Sequence, residues 1–407
     1  MTGTTCLLLL VFAGATAADI PLEWVDKDTG HRVIRLSQDD GSESLYFNES
    51  AFTPQGDKMI LLTRKGVCTV DLRTRKIDLV VPALARTTNA VAGVCMGRRT
   101  RTIYYSRSNG SNAVAYATDL DSGATRAIGV LPGSGRLASF SAVNADETLL
   151  AGALVEAQPG GSRPPRPSGL SKGAWMEQRQ QMHLPMRLFT VNIKTGEVRT
   201  FNPSTDWLNH VQASPTDPNL LLFCHEGPWQ LVDRIWTIHT DGTELQLVHP
   251  RTMAMEIAGH EFFGADGRTV WYDLQTPRGE DFWVGGFELS TGRRIRYHLE
   301  RDQWSVHYNV SPDGTLFAGD GGAENMVAHA ANGKWIYLFH PKLDRVPPGQ
   351  EGLIVPGVFR AERLVNMKEH NYALEPNVMF TPDGKWVVFR SNMFGPTHVF
   401  AVKVARE

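Results

Sequence analysis

The chain has 407 residues, with 41 Lys and Arg against 43 Asp and Glu for a formal charge of −2. That balance leaves no overall basic field to draw the protein to nucleic acid or anionic lipid. Hydrophobic residues make up 42%, alongside 38 Gly and 23 Pro, a composition that excludes disordered and fibrous classes and fits a folded, turn-rich chain.

The N-terminus, MTGTTCLLLLVFAGATAAD, has an apolar run from Cys6 to Gly14 followed by small residues at Ala15 and Ala17. This pattern predicts a signal peptide over residues 1–18 and export to the periplasm or medium, although its first residues lack a basic side chain. A chain without a working leader would stay cytoplasmic. No other segment reaches the ~18 apolar residues of a membrane span. Cys6 belongs to the leader, leaving Cys68, Cys95 and Cys224. An odd number with no zinc spacing reads as buried thiols, with Cys68 and Cys95 the pair that an exported chain could oxidise.

From residue 52 onward one plan recurs: FTPQGDKMILL, VNADETLLAGA, ASPTDPNLLLF, GADGRTVWY, VSPDGTLFAG and FTPDGKWVVF. Each sets a Pro/Asp/Gly turn between a short apolar strand and a β-branched or aromatic one. A second hairpin usually follows, as in VDLRTRKIDLV, TDLDSGATRAI, VNIKTGEVRTF, IHTDGTELQLV and FELSTGRRIRY. With a degenerate unit at GVCMGRRTRTIYYS, the count predicts an all-β, seven-bladed β-propeller as one domain over 19–407. The last unit runs out of chain after three strands, so GHRVIRLSQ near the N-terminus should supply the fourth and close the ring. Helical periodicity is almost absent. Two insertions, at about 157–185 and 340–362, read as long loops over the scaffold.

The first strand of each blade lines a propeller's channel, so equivalent positions there converge. Four residues ahead of the turns stand Glu49, Phe140, His210, His260, His307 and Asn377. Three histidines in consecutive units at one register point to metal binding or base catalysis. Gln212, Glu375, His370 and Tyr372 lie beside this register and are N and O donors suited to Mn²⁺ or another divalent ion. His225, Trp229 and Arg234 in FCHEGPWQLVDR, with His210 and Arg390, are candidates for holding an anionic ligand with an apolar face.

The stretches NHVQASPTDPNLLLFCHEGPW, VDRIWTI, GHEFFGADGRTVWYDLQ, SVHYNVSPDGTLFAGDGG and EPNVMFTPDGKWVVFRSNMFGPTHVFAV resemble oligogalacturonate lyases, propeller enzymes that degrade short pectin fragments. The resemblance implies metal-assisted β-elimination on an oligogalacturonide. It places His260 as the base, Arg234 as its assistant and His307 as a metal ligand. The family's further ligands, a Gln and two His, align with Tyr372, Glu375 and Asn377, which leaves Ca²⁺ or Mg²⁺ as alternatives to Mn²⁺. Gln212 and His370 are reserve ligands. The competing expectations are a non-catalytic TolB-like propeller that binds a protein or anionic saccharide, and a lyase for another uronate.

Overall fold

The computed structural model describes residues 20–406 except 84–90, 110–111, 134–138, 157–166, 327–329, 331, 348 and 350–353. The expected leader and the first part of the insertion at 157–185 lie outside the described residues. The described chain is all-β apart from one α-helix and two short 3-10 turns.

Antiparallel four-stranded sheets follow one another along the chain. One comprises Ala92–Met96, Thr102–Asn109, Asn112–Asp119 and Thr125–Val130; the next comprises Ala142–Val143, Leu149–Val155, Met186–Asn192 and Val198–Ser204; a third comprises Trp207–Ala213, Leu220–Glu226, Ile235–His239 and Gln246–Leu247. Before them Lys58–Thr63, Gly66–Asp71 and Ile77–Pro82 form a three-stranded sheet, with Phe52 bridged to Met59 at its edge. The second strands are continuous apolar runs because both faces are covered by neighbouring sheets: Leu221, Leu222, Phe223 and Cys224 are all fully buried, as are Val387, Val388 and Phe389.

The turns explain the repeat. A backbone bond closes each first hairpin at Thr53–Lys58, Gly97–Thr102, Asn144–Leu149, Ser214–Leu220, Gly264–Thr269, Ser311–Leu316 and Thr381–Trp386. In several second hairpins an Asx turn does the closing: Asp71 Oδ1 accepts from the Arg73 and Thr74 amides, and Asn192 Oδ1 from those of Lys194 and Thr195. The left-handed residue that ends such a turn is Gly123, Gly196, Gly242 or Gly292, but Arg75 in the first, at φ 62°.

The N-terminal segment closes the last sheet as expected. Arg32–Arg35 pairs with His398–Lys403, and Glu23–Val25 adds a further strand outside it. His31, fully buried, locks this join: its Nδ1 meets the Lys403 carbonyl at 2.9 Å and its Nε2 meets Glu362 at 3.2 Å.

Both expected loops need correction. Residues Lys172–Gln181 form an α-helix capped by Ser171, whose Oγ accepts from the Ala174 amide at 3.1 Å. The stretch from Ala174 to Leu184 has no Gly or Pro, and its Met, Glu, Gln and Arg are good helix formers. The 340–362 stretch is largely strand. Trp335–Leu343 and Val355–Asn366 form a long hairpin, and Val355–Val358 also pairs in parallel with Ile295–His298, fusing two units into one eight-stranded sheet. The side chains of VPGVFR alternate between buried and exposed as a strand's do, but Pro and Gly within it and the Pro-rich tip between the strands obscured the pattern. Cys68, Cys95 and Cys224 are buried free thiols.

Candidate functional site

The inner strands bend where their histidines stand. Register shifts occur between Ala92 and Cys95, Asn209 and Gln212, and Gly259 and Phe262. At the shifted positions Gly93 has φ 60°, His210 φ 48° and His260 φ 44°, and Asn377 at the same register has φ 56°. A β-bulge re-aims a side chain, and a left-handed non-glycine residue costs about 1–3 kcal/mol. His210 and His260 thereby face a cavity of about 520 Å³, whose wall also includes Glu49, Trp229, Arg234 and Glu375.

Two histidines are each backed by an aspartate. His260 Nδ1 donates to Asp273 Oδ1 at 2.9 Å, and His307 Nδ1 to Asp320 Oδ2 at 2.7 Å. Asp273 lies on the adjacent strand Thr269–Gln275 and Asp320 directly after the adjacent strand Phe317–Gly319, each 13 residues after its histidine. Asp320 also accepts from the Val306, His307 and Asn377 amides. The bond at Nδ1 fixes the tautomer and turns Nε2 outward, the arrangement that prepares an imidazole as base or ligand. His260 Nε2 has no protein partner among the described residues, and its imidazole packs at 4.6 Å from that of His307. His307 Nε2 accepts from the Tyr46 hydroxyl at 3.1 Å and lies 3.8 Å from Glu375 Oε2. Burial pushes the Glu375 carboxyl up, but His307, His260, Lys172 and Arg390 outweigh it and hold it below the usual range.

The opposite wall is an ion-paired cluster. Arg234, 2% exposed, donates to Glu226 Oε1 at 2.6 Å and to Glu261 Oε2 at 3.1 Å. Its guanidinium sits 5.0 Å over the Trp229 ring, which in turn packs edge-on against His260 at 4.9 Å. Burial raises the Glu226 carboxyl, yet Arg234 and His210 draw it well below its ordinary value. His210 Nε2 lies 3.3 Å from Glu226 Oε2, and His210, Cys224 and Glu226 place their donor atoms within 4.8 Å of one another.

The segment Tyr46–Glu49 crosses to this site from the N-terminal side. Phe47 packs against His307, His260 and Phe262, Asn48 Nδ2 donates to the Glu261 carbonyl, and Asn309 Nδ2 donates to the Phe47 carbonyl. The helix Lys172–Gln181 lies against Trp207, over which the buried Arg179 stacks at 5.0 Å, and sends Lys172, Trp175 and Met176 into the cavity wall.

The structure thus gathers His260, Arg234, His210, Trp229, Gln212 and Glu375 on the cavity wall, with His307 directly behind. It does not bring in the rest. His225 alternates away from Glu226, stacks on Trp236 at 4.9 Å and meets Asp206 at 3.5 Å. Arg390 binds Glu43, the Glu375 carbonyl and the Asn377 side-chain oxygen, so it buttresses Glu375 from behind. Asn377 spends its oxygen on that contact, and the Tyr372 hydroxyl donates to the Asp320 carbonyl. His370 has no nitrogen to offer an ion: Nε2 donates to the Leu374 carbonyl and Nδ1 accepts from Ser391, while burial lowers its pKa to about 4. Gln212 ties its amide nitrogen to the Glu261 carbonyl at 2.7 Å. Of the three positions that differ from the expected ligand set, only Glu375 presents a donor to the cavity.

An all-β scaffold here gathers carboxylate-backed imidazoles, a buried arginine and a carboxylate around one cavity, the groups that acid–base chemistry uses. The family model described as oligogalacturonate lyase matches residues 174–407, more than half of the chain, and the chain belongs to that family. An oligogalacturonide lyase of Pectobacterium atrosepticum is 32% identical over 234 residues, 54% of this chain and 55% of that protein. An oligogalacturonate lyase of Dickeya dadantii is 28% identical over 225 residues with the same coverage. The chain spans about half the length of these relatives. The fold is shared with a solved oligogalacturonate lyase in complex with manganese, at TM-score 0.75, 22% identity and coverage of 94% of this chain and 96% of the other. It is shared equally with an oligogalacturonate lyase from Vibrio parahaemolyticus, at TM-score 0.74, 22% identity and the same coverage.

Sequence reasoning missed Tyr46, Glu261, Asp273 and Asp320, and gave Glu226 no role. A signal for the two aspartates was present: a single acid inside or directly after an apolar strand, at the same spacing of 13 from its histidine in TVWYDLQ and LFAGD. Tyr46 left none, because it precedes the first repeat.

Proposed function

We propose that this protein cleaves short oligogalacturonides by β-elimination, with His260 as the base. The observation that carries the reading is His260 itself, with Nδ1 held by buried Asp273 and Nε2 facing the cavity without a protein partner. Nε2 takes the C5 proton of a uronate, the electron pair forms the C4–C5 double bond, and the C4–O bond breaks, giving a 4,5-unsaturated product and a leaving sugar whose oxygen takes a proton from solvent. Asp273 stabilises the imidazolium that results. Arg234, compensated by Glu226 and Glu261 and lining the cavity wall, holds substrate charge as the enediolate develops.

A divalent cation fits the donors present. His307 Nε2 and the Glu375 carboxylate are 3.8 Å apart, close enough to share one ion once the Tyr46 hydroxyl, now bonded to that Nε2, turns away, and Asp320 backs the imidazole as metal sites require. Mn²⁺ suits this nitrogen and oxygen pair and is the ion named for the solved neighbour. Such an ion would neutralise the uronate carboxylate and acidify its C5–H.

The same reading takes the seven equivalent turns as seven blades of one closed propeller domain, and residues 1–18 as a leader that exports it. No described helix is long and apolar enough to cross a membrane. The test is incubation with di- and trigalacturonate, with and without EDTA, following the ultraviolet absorbance of the unsaturated product. Product that forms in the wild type, needs a divalent ion and is lost in His260→Ala is the expected result. No product with any added divalent ion would overturn the activity.

A further inference from the structure

Of the two arginines that line the cavity, Arg98 and Arg234, only one is held by carboxylates. Arg234 is held by Glu226 and Glu261, and Arg390 by Glu43. Arg98 lines the same cavity, is half-buried, and has an Nε sealed from solvent with no hydrogen-bond partner. It makes no ion pair with any described carboxylate. The acid that reaches this turn from the next sheet is already taken: Glu147 accepts from the Arg99 and Thr100 amides at 2.7 and 2.8 Å and from the Tyr104 hydroxyl at 2.8 Å. These bonds clamp the turn that carries Arg98 and leave its guanidinium unpaired. An uncompensated cation in such a place is costly, and burial lowers its pKa accordingly.

Its position is informative. Arg98 follows Gly97, which closes its turn as Ser214 and Gly264 close theirs, so it stands at the turn end of the inner strands. The helix with Lys172 and Trp175 packs by Trp207, at the opposite end of an inner strand. The His210 and His260 register lies between. The cavity therefore has a cation at each end and its acid–base groups in the middle, a pattern that matches a chain of carboxylates better than one.

We propose that Arg98 binds a substrate carboxylate remote from the bond that is broken, so that the cavity selects an oligomeric uronate over a monomer. This rests on the uronate reading above. Arginine is suited to the task because its fork meets a carboxylate with two parallel bonds.

The test measures binding by calorimetry to the intact protein and to Arg98→Gln and Arg98→Lys, each carrying His260→Ala to prevent turnover. The probes are galacturonate and trigalacturonate. Arg98→Gln should weaken trigalacturonate binding tenfold or more and leave galacturonate within twofold, with Arg98→Lys in between. Removing an unpaired half-buried charge should also leave the ligand-free Tm unchanged or higher, which a purely structural role for Arg98 would not allow. Equal trigalacturonate affinity in Arg98→Gln, an equal loss for both probes, or a lowered ligand-free Tm would overturn the proposal while leaving the lyase reading intact. No binding of either probe by the protein with Arg98 in place would overturn both.

Discussion

Replacing Glu49 by glutamine should stabilise the protein at alkaline pH and leave it unchanged at pH 4.5. Glu49 lines the cavity with one carboxylate oxygen accepting from the Tyr46 amide at 3.0 Å. Burial raises its pKa from 4.5 to about 7, against the smaller opposing pull of that amide, His210 and Arg390. The folded state therefore keeps a proton that the unfolded chain loses between those values. Stability falls as pH rises through that window, and the loss is complete above pH ~7. At about 1.36 kcal/mol per pH unit, the ionised form costs the fold about 3 kcal/mol as an upper bound. Glutamine keeps the acceptor for Tyr46 and removes the titration. In thermal unfolding with EDTA, Glu49→Gln should match the wild type at pH 4.5 and exceed its Tm by about 4 °C at pH 8, given the unfolding entropy of a chain of this size. A Tm difference of the same size at both pH values, or a less stable variant at pH 8, would refute the argument.

Asp273→Asn should lower kcat about 10²-fold or more with little change in KM, because the amide can hold His260 in the tautomer whose Nε2 carries the proton; steady-state kinetics on trigalacturonate checks this. Glu226→Gln should cost about 3 kcal/mol at pH 7 by denaturant unfolding, since it removes one of the two charges that compensate buried Arg234. Because the Glu226 pKa is lowered in the folded state, its contribution is present above pH ~4.5 and lost as pH falls through the folded value. The deficit of Glu226→Gln should shrink in acid.

The repeat and the histidine register were legible because each turn advertises itself with Pro, Asp, Asn or Gly, and equal spacing from a turn means an equal position along the first strand of each sheet. The closing strand was legible because the last unit runs out of chain. What alternation concealed was orientation: His225 and Glu226 are neighbours, and only the second faces the cavity. Asn377 and His370 sit at ligand-like positions, but their polar atoms go to Arg390 and to the Leu374 carbonyl and Ser391, partners that no local pattern names. Arg98 was hidden for the opposite reason, as a charged residue in a turn normally faces solvent.

The crossing segment Tyr46–Glu49 bears on how the protein is made. Its partners Glu261 and His307 are synthesised more than 200 residues later, and His31 meets Lys403 only when the chain is nearly complete. Residues 31–49 must leave the ribosome and wait, with Phe47 and the edge of the closing strand uncovered. Closure of the last sheet and completion of the site are then one late event, so a product truncated before residue 398 has neither, and the uncovered segment is exposed to aggregation until then.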